Sequence, residues 1–175
     1  MQLNLIGTGQ GWKLAPCNGV AWGVNNVIFK RRVDLLFDMH DHFRIEGSRK
    51  AKCDRVANEC KRLGVEAYSI HENPEYNYRR YPIELISQRF KTSYFSNGVC
   101  YMIALALDIG FKRLDLYGIN HNKDLNPHEY VEEKAGVDFW LGIATGMGVE
   151  WEAHGEFSMI GKIKKPYGYE IWNLT

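Results

Sequence analysis

The chain has 175 residues, of which 45% are hydrophobic and 25% charged, a balance that fits one globular domain with a full core and leaves no linker, repeat or low-complexity segment. Lys and Arg number 22 against 21 Asp and Glu, a net charge of +1, so composition points to neither nucleic acid nor an anionic membrane as partner. The start MQLNLIG has no basic segment ahead of a long apolar run, and no stretch approaches the length of a membrane span, so the expectation is a soluble, cytoplasmic protein. Cys17, Cys53, Cys60 and Cys100 lack CxxC spacing. Cys53 and Cys60 lie two helical turns apart, roughly 10 Å, too far to bridge, so reduced structural thiols are expected.

In chain order, Leu3–Ile6 reads as a first strand that stops at Gly7-Thr8-Gly9-Gln10-Gly11. Such a turn either lets backbone N–H groups approach a phosphate or is simply tight; it lacks the third glycine of a dinucleotide fingerprint and the Lys-Ser/Thr of a P-loop. Val20–Val24 is a second strand ending on Asn25 and Asn26, and Val33–Phe37 a third ending on Asp38-Met39-His40-Asp41-His42. Arg49–Leu63 places Cys53, Val56, Ala57, Cys60 and Leu63 at helical spacing with Gly64 as the stop, and Val65–Ile70 follows as a strand. Asn73–Tyr94 has no clean periodicity, two prolines, and Tyr76, Tyr78 and Tyr81 around the pair Arg79-Arg80. It reads as an irregular, lid-like segment (about 71–95) whose rings and guanidinium groups either hold an anionic ligand or pack on their own domain.

Ser96 and Asn97 are N-cap residues ahead of the buried helix Val99–Ile109, which Gly110 ends; Leu114–Tyr117 is then a strand closing on Gly118, Asn120 and His121. Pro127–Met147 reads as a long helix with Val131, Ala135, Phe139, Ile143 and Met147 on one face, its glycines 142, 146 and 148 allowing close packing or fraying, and Val149–Trp151 as a last strand. The tail Ser158–Thr175 is too aromatic to stay free and is expected to fold back or to meet a second copy in a homo-oligomer. The pattern specifies an α/β, three-layer Rossmann-like fold, a mostly parallel sheet with helices on both faces. Ligands in such sheets lie beyond the carboxyl ends of the strands, which points to Ser96–Gly98, with the N–H groups of a helix start for an anion, and to Gly118–His121.

Asp38, His40, Asp41 and His42 are candidate metal ligands, but no third histidine is fixed by spacing, and hydrogen bonding to sugar hydroxyls suits them better; no metal or cofactor is called for. His121 and His128 flank the short connection after the central strand, and either suits a general base.

The chain also resembles small, mostly phage- or prophage-encoded proteins of unknown function related to the family 42 glycosyltransferases, the bacterial sialyltransferases. The motifs that carry this are IGTGQGW, WGVNN, LLFDMHD, SNGVCYMIALALDIGFKRLDLYGIN, HEYVEEKAGVDFWLGIATGMGVEW and the late YGYE. The resemblance implies cytidine-nucleotide contacts at Gly7, Thr8, Gly9, Asn25, Asp38, Ser96, Asn97 and Gly98, and a catalytic histidine at His128. Thr8, Asn97 and Asn120 stand where the transferases carry asparagine, serine and aspartate, and their acceptor lid is missing between the central strand and His128. The expectation is therefore a binder of a small nucleotide-type ligand, with His40, Arg79, Arg80, Asn120 and His121 completing the site. For a phage protein in the host cytoplasm this means sequestration of a nucleotide immune signal. The alternatives are a small glycosyltransferase or nucleotide-sugar or cyclic-nucleotide hydrolase with His128 as base, and an oligomeric interaction protein.

Overall fold

The computed structural model describes residues 1–121, 129–155, 158 and 160. Seven strands, β1 (Gln2–Ile6), β2 (Val20–Val24), β3 (Leu35–Phe37), β4 (Glu66–Ser69), β5 (Tyr78–Arg80), β6 (Arg113–Tyr117) and β7 (Glu150–His154), form one sheet in the order β5-β4-β3-β2-β1-β6-β7. Every pairing in it is parallel. Helices α1 (Gly47–Leu63), α2 (Ile83–Phe90), α3 (Gly98–Ile109) and α4 (Lys134–Gly146) cover it, giving the expected three-layer Rossmann-like fold.

Strand alternation assigns the two faces. Leu3 and Leu5 of β1 and Leu114 and Leu116 of β6 pack with Ile103, Leu107, Val137, Trp140 and Leu141 on the α3–α4 side. Ile6, Ala21, Leu36 and Ala67 pack with Val56, Ala57 and Cys60 of α1 on the other. Helix α3 is buried on nearly all sides because its sequence offers six consecutive small or apolar side chains, Met102 to Leu107, before Asp108 reaches out to Arg89 (2.7 Å). The α3–α4 pair meets at Gly136, where an added Cβ would fall 2.9 Å from Ser96 Cβ and 3.1 Å from Cys100 Sγ.

Two elements differ from the sequence reading. The segment expected to be an irregular lid is an edge strand and a helix, β5 and α2, with Tyr78 and Tyr81 at 3% and 1% exposure. Only a short 3-10 turn, Pro74–Tyr76, separates β4 from its parallel neighbour β5, and nothing in an eight-residue connection signals a parallel crossover, which usually takes a dozen residues or more. In α4 the buried stripe is Gly136, Val137, Trp140, Leu141 and Ala144, while Val131, Ala135, Phe139 and Met147 are exposed. The helix is rotated from the expected face because Trp140 docks against Phe90 and Phe95 and donates its indole N–H to Tyr94 O (2.7 Å). Of the anticipated helix glycines, Gly142 and Gly146 have no neighbour within 4 Å of an added Cβ; the close approach belongs to Gly136. Among the described residues no helix is long and apolar enough to cross a membrane.

Candidate functional site

After β5 the chain returns to the other side of β1, which places the switch point of the sheet between β1 and β6. A cavity of about 700 Å³ opens there, at the carboxyl ends of the strands, where such sheets take ligands. The exits of β1 (Gly7–Gln10), β2 (Asn25), β3 (Met39, His40) and β6 (Gly118–His121), together with the start of α3, form its walls. Gly7, Thr8, Gly9, Asn25, His40, Ser96, Asn97, Gly98, Asn120 and His121 are thus brought together as the sequence suggested.

Their roles are less uniform. The N–H groups of Gly7 and Gly9 donate to Tyr117 O and Gly118 O, each at 2.8 Å, and are spent on the neighbouring loop rather than left for a phosphate. A Cβ on Gly9 would fall 2.8 Å from Gly118 O, and one on Gly7 2.8 Å from Ile119 Cγ1. These glycines are there because two loops cross in contact, the tighter of the two readings. Asn120, with its amide turned to satisfy its neighbours, donates to Gln10 O (2.9 Å) and accepts from Gln10 N (3.0 Å), tying the same loops a second time. Lys30 adds a bond from Nζ to Thr8 O (2.6 Å).

Asn97 caps α3 as expected: its Oδ1 accepts from Val99 N (2.9 Å) and Cys100 N (3.1 Å). Its Nδ2 donates to Glu133 Oε2 (3.2 Å), and Ser96 Oγ donates to Glu133 O (3.0 Å), where a π-turn (Glu129–Glu133) leads into α4. The helix start is therefore closed by its own side chain and clamped to α4, and Glu133 brings a carboxylate to the cavity wall. At Ser96–Gly98 two of the N–H groups an anion would use are taken by the Asn97 side chain, with Glu133 alongside.

The sequence matches no family model and no curated protein, and the fold matches no solved structure. The site's chemistry is accordingly read from its own residues.

Asp38 is 1% exposed and does not line the main cavity, so it does not meet a ribose there. Its carboxylate accepts from His40 Nδ1 (2.5 Å) on Oδ1, and from His42 Nε2 (2.9 Å) and the Tyr78 hydroxyl (2.8 Å) on Oδ2. Burial alone would raise its pKa; the hydrogen bonds and charges of the two imidazoles outweigh this and hold it well below the usual carboxylate range. The same ionised carboxylate, after burial, pushes the Cys60 thiol up to about 12 and raises Cys53, which agrees with inert structural thiols. A second cavity of about 280 Å³ adjoins the first, lined by Asp38, Cys53 and the polar start of α1 (Ser48, Arg49, Lys52); Asn25 and His40 belong to both.

Asp38, His40 and Cys53 carry donor atoms within 4.8 Å of one another, as do Asp115, Glu152 and His154. In the first set the 2.5 Å between Asp38 Oδ1 and His40 Nδ1 is a hydrogen-bond distance, shorter than the roughly 3.3 Å that separates two tetrahedral ligands about 2.0 Å from zinc. In the second, Asp115 is already held by Gln2 (2.8 Å), Arg113 (2.9 Å) and His154 (2.8 Å).

Arg79 and Arg80 lie on the edge strand β5, away from the cavity, ion-paired to Glu66 and Glu84. Tyr78 and Tyr81 turn inward, the second donating its hydroxyl to Tyr101 O (3.1 Å). His128 lies outside the described residues. The wall residues that sequence reading passed over include Gln10, Met39, Phe95, Tyr101 and Glu133. Phe95 and Tyr101 stack at 4.5 Å and 28°, and the signal for them was local: one precedes the cap and the other sits one turn inside an otherwise apolar helix.

Proposed function

We propose that the protein binds a small nucleotide-type ligand at the carboxyl edge of its sheet, its nucleoside in the main cavity and its phosphate at the adjoining basic one. The observation that carries this reading is the division of charge between the two joined cavities. Among the described residues the main wall has no Lys or Arg and one acid, Glu133; it offers the side-chain amides of Gln10 and Asn25, the His40 ring, and the rings of Phe95 and Tyr101. Such a wall suits a base and sugar, which need hydrogen bonds and a flat apolar face rather than a counter-charge. The neighbouring cavity supplies Arg49, Lys52 and Ser48, two cations against the one buried carboxylate of Asp38. No acid stands in the first turn of α1 to offset them, and among the described residues neither cation has an ion-pair partner. For a chain of phage type, binding of this kind removes a nucleotide signal from circulation.

The test is titration calorimetry with 5′-mononucleotides, cyclic nucleotides and nucleotide sugars, paired with the free nucleosides. A nucleotide that binds while its nucleoside binds at least tenfold more weakly, with the difference lost in the Arg49→Ala/Lys52→Ala double variant, supports the reading. Binding that ignores both the phosphate and those two cations removes it.

A further inference from the structure

The main cavity holds one imidazole that the fold has oriented and left with an unused nitrogen. Asp38 fixes the His40 ring through Nδ1 at 2.5 Å, so that in the neutral ring Nδ1 carries the proton and Nε2 the lone pair. Among the described residues nothing bonds Nε2, and the His40 side chain is 39% exposed while its partner carboxylate is 1% exposed. His40 is the partner of Asp38 Oδ1, while His42 and Tyr78 donate to Oδ2, so the carboxylate holds the ring from one side and leaves its far edge at the cavity wall. A buried carboxylate behind an imidazole whose far nitrogen faces a ligand cavity is the arrangement that makes histidine an oriented proton acceptor. His40 also stands, with Asn25, where the main cavity and the basic one join. A nucleotide spanning them would bring its phosphoester or phosphoanhydride to that nitrogen.

We infer that His40, held by Asp38 as a positioning residue, is the general base of a nucleotide phosphohydrolase. In the step, Nε2 takes a proton from water as the water oxygen bonds to phosphorus. The bond from phosphorus to the leaving oxygen breaks, and the proton on Nε2 passes to that oxygen, returning His40 to its starting state and consuming one water. This rests on the reading that the cavities bind a nucleotide, and goes beyond it by replacing retention with cleavage.

The test incubates the full chain with ribonucleoside 5′-diphosphates, 3′,5′-cyclic mononucleotides and cyclic dinucleotides, following products by phosphorus NMR and binding by calorimetry. Expected are multiple turnovers of at least one probe, a fall in kcat of about 10²- to 10⁴-fold in His40→Ala, and a change in Kd of no more than about tenfold. Asp38→Asn should lower kcat with little change in KM. Because that variant removes a buried anion, nitrogen NMR of the wild type gives a second readout: His40 must be the Nδ1–H tautomer with a low-field Nδ1 proton. A bound probe recovered unchanged after long incubation overturns the inference and leaves the binding proposal standing; absence of binding by every probe removes both. Turnover that vanishes with a chelator and returns with zinc also overturns it, making His40 a ligand.

Discussion

Asp38 accepts from two imidazoles and a phenol, and its ionised state has a consequence for stability. Its folded pKa lies below that of an unfolded aspartate, about 4, so its contribution is complete above that value and is lost as the pH falls through and below it. Acid unfolding followed by circular dichroism should steepen below about pH 4 in the wild type and lose that component in Asp38→Asn. The variant should also be less stable at neutral pH by on the order of 3 kcal/mol, since two imidazole donors and a phenol lose their anion. Asn97 makes a second residue-scale case. Asp in its place would still accept from Val99 N and Cys100 N, but it would set a carboxylate against Glu133 where an amide now donates. Asn97→Asp should therefore lower the melting temperature, by the equivalent of about 1–3 kcal/mol, although the cap itself is kept.

At the scale of elements, α4 shows how one substitution changes sign with its surroundings. Gly136 lies against Ser96 and Cys100, so Gly136→Ala forces two packed helices apart and should cost about 1–3 kcal/mol. Gly142, on the exposed side of the same helix, meets nothing within 4 Å, and Gly142→Ala should stabilise by about 0.5–1 kcal/mol through the lost freedom of the unfolded chain. Urea denaturation midpoints of the pair would check both signs at once. The edge element β5–α2 gives a different expectation. Arg79 and Arg80 make exposed pairs with Glu66 and Glu84, so their joint replacement by alanine should cost less than about 1 kcal/mol per pair. It should leave the dissociation rate of any nucleotide in stopped-flow measurements unchanged, because β5 stands at the far edge of the sheet from β1 and β6.

For the whole molecule, the sheet divides at the switch point: β2 to β5 run outward from β1 on one side and β6 and β7 on the other, with α3 packed across both. A ligand between the exits of β1, β2, β3 and β6 would bridge both halves. Saturation at a hundredfold over Kd adds about 2.7 kcal/mol to global stability. For a chain of this size that corresponds to a rise of roughly 5–11 °C in melting temperature, measurable by scanning fluorimetry with the nucleotide that binds best.

The strands β1, β2, β3, β4 and β6 and the helices α1 and α3 were legible in the chain because each carries its own signal: a short apolar run ending on polar residues, a 3.6-residue stripe, or a glycine stop. The gathering of their polar exits around one cavity was legible for the same reason, since parallel strands put their ends on one edge. What a residue does at that edge was not. Whether a glycine N–H is free or spent on Gly118 O, whether Asp38 meets a ligand or two histidines, and which face of α4 is buried all depend on neighbours distant in sequence. The aromatic run around Arg79-Arg80 failed as a lid for that reason: Tyr78 finds Asp38 forty residues away and Tyr81 finds the carbonyl of Tyr101, pairings no local pattern encodes. Local propensity and periodicity act over a few residues and set the elements; hydrogen-bond satisfaction in the folded interior acts across the chain, and it alone decided which of the clustered polar groups remain open to a ligand.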